Sequence, residues 1–233
     1  TAAPDTGNAE ILAMFGTDEQ KARYLKPLMD GEIVSCFSMT EPQAGADPKE
    51  FVCRAWVEGN EWVIEGEKWF SSNARFAAFL IVMAVTNPDN PPHGRMSMFV
   101  VPTDTPGVEI LRNVKTLGDS HHLDEGTHAY IRYNRVRVPL DAMLGQPGEG
   151  FKVAQARLGG GRVHHAMRTV GKCQRALDMM VERANSRRTQ GKLLAEHQFV
   201  QGMIADSYIE LEQYRLLVLK TAWLMDTVGN RGA

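Results

Sequence analysis

Two periodicities divide the chain. Over residues 8–30, apolar side chains at Ile11, Leu12 and Phe15 share one helical face, with Asn8 placed to cap the helix and Gly16-Thr17 to break it. Asp18 opens a short amphipathic piece, Glu19 to Met29, which Gly31 closes. From Ile33 the pattern turns to β. Expected strands are Ile33 to Met39, Val52 to Glu58, Trp62 to Phe70, Phe79 to Val85, Met96 to Val101, Val108 to Leu111, His128 to Tyr133 and Val136 to Val138. Gly59-Asn60 is a two-residue hairpin turn, both residues tolerating positive φ, and the Pro, Asn and Gly of Asn87 to Gly94 mark a longer connection. Strands joined by short turns without intervening helices predict an antiparallel barrel or sandwich.

Residues 151–230 return to the helical period as two long helices joined near Arg188–Glu196. Val163, Met167, Val170, Leu177, Val181 and Ala184 form a buried stripe on the first. The second, from about His197 to Val228, is apolar on more than one face after Tyr214, as suits a helix between neighbours. Two antiparallel helices leave such faces uncovered, so further helices beyond residue 233 or a second subunit are expected to cover them. The fold class is α+β. Expected domains are 1–32, 33–145 and 146–233.

Composition narrows this little. Hydrophobic residues at 43% and charged residues at 23% are ordinary for a globular chain, with no apolar run of membrane-span length and no basic-then-apolar leader. The three cysteines, 36, 53 and 173, lack paired metal or disulfide spacing and read as buried thiols of a reducing, cytoplasmic setting. The net charge of −2 hides an asymmetry: residues 1–150 hold 13 Lys and Arg against 21 Asp and Glu, residues 151–233 hold 13 against 7. A basic half suits a dinucleotide pyrophosphate, the phosphates of coenzyme A or nucleic acid. Interruptions at Glu182, Glu196 and Asp206 disfavour nucleic acid. No G-x-G-x-x-G opens a helix, and Gly159-Gly160-Gly161 lacks the preceding strand a phosphate loop needs. His121-His122, Asp124, Glu125 and His128 invite a metal, yet adjacent histidines on an extended segment face opposite ways, and an exposed polar loop is expected instead.

Chemistry concentrates at Cys36 to Asp47. There an apolar run breaks into Thr40-Glu41-Pro42, and a small-residue turn, Ala44-Gly45-Ala46, leaves backbone N–H groups uncovered for a phosphate or a flat polar ligand. Met39-Thr40-Glu41-Pro42-x-Ala44-Gly45-x-Asp47 resembles the flavin-cradling signature of the acyl-CoA dehydrogenase family. Gly66-Glu67-Lys68-Trp69-Phe70-Ser71-Ser72-Asn73 resembles its second flavin-contacting strand. Val100-Val101-Pro102, Thr105-Pro106-Gly107-Val108, Val136-Arg137-Val138-Pro139, Leu144-Gly145-x-x-Gly148-x-Gly150-Phe151 and Arg187-x-x-x-Gly191 with Gln198 follow in the family's order. Arg162-Val163-His164-His165 is similar to one branch's helix motif.

This resemblance implies the end of an N-terminal helical domain, a middle β-barrel and the first two helices of a C-terminal bundle, in a homodimer or homotetramer. It implies FAD, with Phe37, Met39 and Thr40 lining the isoalloxazine, Gly45 and Ala46 by the pyrophosphate and the thioester end, and Phe70, Ser71 and Ser72 beside the ring, Ser72 next to N5. Arg187, Thr189 and Gln198 match contacts to the FAD of a neighbouring subunit; Gly159, Gly160, Gly161 and Arg162 match part of the substrate wall. Ala46 stands where the family usually has serine, Phe70 where many relatives have tryptophan, and Gln190 where phenylalanine is common. The implied reaction is α,β-dehydrogenation of an acyl-CoA thioester, a carboxylate taking the α-proton as hydride passes to flavin N5, with an electron-transferring flavoprotein as acceptor. One branch carries its base before the arginine; Gly161 occupies that place, so the base is expected beyond residue 233. The same fold serves flavin oxidases and monooxygenases, and a nucleic-acid-binding flavoprotein is a further alternative.

Overall fold

The structure, a computed structural model, describes residues 3–45, 47–117, 128–229 and 232–233. Contacts divide the chain into two units, Thr1–Arg157 and Leu158–Ala233. Helix α1 (Asp5–Phe15) begins before Asn8, which caps nothing. Instead Asp5 Oδ1 accepts from the Ser35 amide and hydroxyl at 2.8 and 2.6 Å, and Asn8 Nδ2 donates to Ser35 Oγ at 2.8 Å. The two polar side chains therefore moor α1 to the first strand, a use that local pattern does not reveal. Thr17 caps α2 (Asp18–Gln20) through a reciprocal box with Gln20. The chain then passes through a π turn, Lys21–Leu25, into α3 (Lys26–Asp30), ended by Gly31 at φ +77°.

The strands are β1 (Ser35–Ser38), β2 (Arg54–Glu58), β3 (Glu61–Ser72), β4 (Phe79–Val85), β5 (Met96–Pro102), β6 (Val108–Asn113), β7 (His128–Pro139) and β8 (Met143–Leu144). They form one sheet in the order β6-β7-β3-β2-β4-β5-β8, with β1 also on β4. The ladders are antiparallel except β1 on β4 and a single β2–β4 pair, Arg54↔Val85. The parallel pair departs from the all-antiparallel expectation. β4 is buried along its whole length, with Leu80, Val82 and Ala84 in one cluster alongside Ile64, Phe99, Ile131 and Tyr133. Phe79, Ile81, Met83 and Val85 meet Ile11, Leu12 and Leu28 from the helices and Val153 on the other side. The two expected strands of residues 128–138 are one, because Arg135 adopts φ +49° and the ladder to β3 resumes at Val136.

The second unit holds most of α4 (Gly150–Ser186), a small hairpin of β9 (Arg188–Thr189) and β10 (Lys192–Leu193), and α5 (Gln198–Val228). Its core is a seam of Val170, Leu177, Leu211 and Val218 flanked by Val163, Ala166, Met180, Ile204 and Tyr214. Ala184 is buried as expected, whereas Met167 and Val181 are exposed, one step round the helix from the seam, and Cys173, expected buried like Cys36 and Cys53, is exposed too. Among the described residues no helix is long and apolar enough to cross a membrane.

Candidate functional site

Two chain segments meet in the first unit and make the candidate site. Lys68 Nζ, on β3, donates to the Met39 carbonyl at 2.8 Å and to Glu41 Oε1 at 2.7 Å, and the Trp69 amide donates to the Thr40 carbonyl at 3.0 Å. Side-chain exposures are 0% for Lys68 and 1% for Glu41, so this ion pair is dry. The carboxylate is fully occupied, also accepting from the Cys53 and Val52 amides at 3.1 and 2.7 Å and from Gln43 Nε2 at 2.5 Å. A buried pair gains from its Coulomb attraction only when the remaining lone pairs are also satisfied, as they are here. The pair clamps the Thr-Glu-Pro turn onto β3. Beyond it, a Cβ placed on Gly45 meets nothing within 4 Å, so the turn's main chain is open to approach. Ala46 lies outside the described residues, as do His121, His122, Asp124 and Glu125.

Immediately after Lys68 the β3–β7 register slips: Lys68 pairs with Ile131, but Ser71 with Ala129. One extra residue on β3 is a bulge. Phe70 sits in it at φ +51°, a left-handed conformation that is costly for an aromatic residue, and is 39% exposed. Its ring lies 4.9 Å from that of Trp69 and 6.4 Å from that of His128. The bulge re-aims two side chains. Phe70 turns outward beside the clamp, and Ser72 Oγ comes within 2.8 Å of His128 Nδ1.

Ser71 goes the other way. Its hydroxyl is fully buried, 3.0 Å from Ser38 Oγ, which accepts in turn from Tyr133 OH at 2.7 Å. The Ser71 side chain is therefore part of the core network and not of the ligand face. Burial pushes the Cys36 thiol up to about 12, against the opposing pull of Arg157 and Ser71, and drives Tyr133 well above its usual value. Phe37 and Met39 pack toward the helical side of the sheet. Arg157 Cζ stands 4.0 Å over the Phe37 ring, and its Nε donates to Asn8 Oδ1 at 2.9 Å. Burial lowers this guanidinium to about 10. It fixes the ring's orientation by cation–π contact.

The second unit carries the other expected positions. Gly159, Gly160 and Gly161 lie inside α4, which runs through all three, although each glycine costs about 1 kcal/mol relative to alanine in a helix interior. A Cβ at Gly161 meets nothing within 4 Å. Arg162 follows on the same helix, and Arg187 lies just past its last residue, Ser186, exposed. The 25 residue steps from the first arginine to the second span about 37 Å at helical rise. Thr189 enters the β9–β10 turn, where Gln190 at φ +48° and Gly191 at φ +83° make a tight reversal. Gln198 opens α5, exposed, and its neighbour His197 has a buried Nε2 without a partner among the described residues.

Sequence pattern did not single out Glu41–Lys68, His128 as the partner of Ser72, or Arg157. Their partners lie 27, 56 and 149 residues away, and local periodicity carries no signal of such pairs. Lys68 and Glu41 nevertheless stand inside the two quoted motifs.

Comparison with known proteins agrees with this layout. Residues 36–128 match the family model for the acyl-CoA dehydrogenase middle domain, and residues 148–233 match that for the C-terminal domain. "Probable acyl-CoA dehydrogenase FadE2" of Mycobacterium tuberculosis is 48% identical over 235 residues, which cover 100% of this chain and 57% of that protein. A solved "putative acyl-CoA dehydrogenase" from Mycobacterium abscessus superposes with TM-score 0.91 at 43% identity, over 100% of this chain and 57% of that one. A glutaryl-CoA dehydrogenase from Mycobacterium smegmatis, solved in complex with FADH2, gives 0.83 at 27% identity, over 95% and 55%. The chain thus spans just over half the length of these relatives. Together the two domain matches and the superposed fold show that the chain belongs to the acyl-CoA dehydrogenase family.

Proposed function

We propose that the chain is the flavin-holding and thioester-holding part of an FAD-dependent acyl-CoA dehydrogenase, which converts an acyl-CoA to its trans-2-enoyl product. The observation that carries this reading is the bulge at Phe70. A strained aromatic residue, turned outward and held beside a clamped Thr-Glu-Pro turn, is a device for which the fold itself has no use. The residues fit the cofactor: Phe70 is an apolar wall, Thr40 and Ser72 bring hydroxyls, and the main chain at Gly45 is uncovered. The chemistry supplied by bound FAD is two-electron oxidation of the thioester's Cα–Cβ bond.

The chain's own residues prepare that chemistry. Glu41 and Lys68 hold the turn so that Met39, Thr40 and Gly45 keep one geometry with or without a ligand, and Phe70 excludes water from one side. Arg162 and the glycines before it leave room along α4 for an acyl chain. Arg187 serves the FAD pyrophosphate of a second copy and Thr189 and Gln198 make further contacts to that FAD; the span of about 37 Å between Arg162 and Arg187 supports that division of labour. The α-proton goes to a carboxylate outside residues 1–233, since Gly161 precedes Arg162. A homo-oligomer and an electron-transferring flavoprotein complete the assembly.

The test is anaerobic addition of an acyl-CoA panel to the full-length protein loaded with FAD. Bleaching of the visible band by at least one acyl-CoA is expected, and the best chain length names the substrate. No bleaching with any thioester, or a flavin that air reoxidises at once, contradicts the dehydrogenase reading and favours an oxidase. General-base work is worth about a hundred- to ten-thousand-fold, so residues 1–233 alone should turn over little; efficient turnover would contradict the placement of the base.

A further inference from the structure

Ser72 and His128 face each other across the β3–β7 ladder as register partners, and Ser72 Oγ lies 2.8 Å from His128 Nδ1. The adjoining pair in that ladder is Ser71 with Ala129. The His128 ring also stands 6.4 Å from the Phe70 ring, which places it along the same outward wall.

A hydroxyl has one hydrogen to donate. An oxidised flavin presents a bare N5 that only accepts, whereas a reduced flavin carries hydrogen on N5 and donates. A serine beside N5 must therefore turn its hydrogen toward the ring in one redox state and away in the other. An imidazole nitrogen complements both arrangements. With hydrogen on Nδ1 it donates to the serine oxygen, leaving the serine hydrogen for N5; with hydrogen on Nε2, Nδ1 accepts the serine hydrogen, leaving the oxygen free to accept from N5–H. Resting on the flavin reading above, we infer that His128 is a positioning residue. It sets the direction of the Ser72 hydroxyl and thereby the balance between oxidised and reduced flavin.

The experiment is a double-mutant cycle read by the midpoint potential of FAD bound to the full-length protein, by dye equilibration, in the parent, Ser72→Ala, His128→Leu and the double variant. His128→Leu should change the ratio of affinities for oxidised and reduced FAD by roughly three- to tenfold, the worth of one hydrogen bond. In the Ser72→Ala background the same substitution should change nothing further. His128→Gln, whose amide both donates and accepts, should recover most of the parent potential, and it completes the cycle if His128→Leu does not fold. Equal shifts in both backgrounds, or no shift in either, overturn the role of His128 and leave the flavin reading standing. A parent protein that takes up no FAD overturns both.

Discussion

In the first unit β4 is buried on both faces along all 7 of its residues, and elsewhere in that unit even the charged Lys68 of β3 and Glu41 of the Thr-Glu-Pro turn are sealed and partnered. In the second, helices of 37 and 31 residues share a seam of four buried side chains. Phe199 is 87% exposed there, and Leu216, Leu217 and Trp223 exceed 60%. A helix apolar on more than one face suits a place among neighbours. The contrast separates two kinds of site residue. Those of the sheet are held by contacts within their own unit; those of the helices sit on a scaffold whose apolar side chains are largely exposed.

The sharpest way to break the first half of this comparison is Lys68→Ala. It strands the Glu41 carboxylate without its cation, and removing one partner of a buried pair costs about 3–5 kcal/mol. Denaturant unfolding of the sheet unit should register that loss, and FAD uptake should fall with it. Next comes a matched pair of cavities. Leu80→Ala, in the large sheet core, should cost about 3–4 kcal/mol, and Leu211→Ala, in the narrow helical seam, about 2 kcal/mol. Equal losses would mean that the helical seam is as well packed as the sheet.

A smaller effect separates stability from function. Phe70→Gly removes a left-handed aromatic residue and should stabilise the sheet unit by about 1 kcal/mol while weakening FAD binding. A stabilised variant with unchanged FAD affinity would remove Phe70 from the ligand wall. The smallest effect is on the outer surface. Bonds from Trp56, Arg135 and Arg137 lower the Glu58 carboxyl from 4.5 to about 2. As pH falls, the unfolded chain then takes up its proton first, so the contribution is complete above about pH 4.5 and lost on the way down to about 2. Glu58→Gln should flatten the acid limb of the unfolding midpoint in that window.

Much of the fold is legible because its causes are local. The Gly59 turn, the continuous apolar run of β4, the break at Gly16 and the two helical periods all read directly from neighbouring residues. The parallel β1–β4 pair does not, since a strand's own alternation is the same whichever direction its partner runs. The bulge at Phe70 is hidden for a related reason: its cause is the register of β7, 56 residues away, and not the sequence Trp69-Phe70-Ser71. Within the site, the motifs named Thr40, Gly45, Phe70 and Ser72 together. They also took in Ser71, whose hydroxyl the same bulge turns into the core, and could not show that Lys68 and Glu41 join the two segments.

The account rests on Thr40, Gly45, Phe70 and Ser72 forming one slot for a flavin. The most direct measurement is a visible-absorption titration of the full-length apoprotein with FAD, repeated with Phe70→Gly. The account predicts saturable binding near one FAD per chain with a shifted flavin band, weakened by the substitution. A flavin spectrum that stays that of free FAD throughout would contradict it.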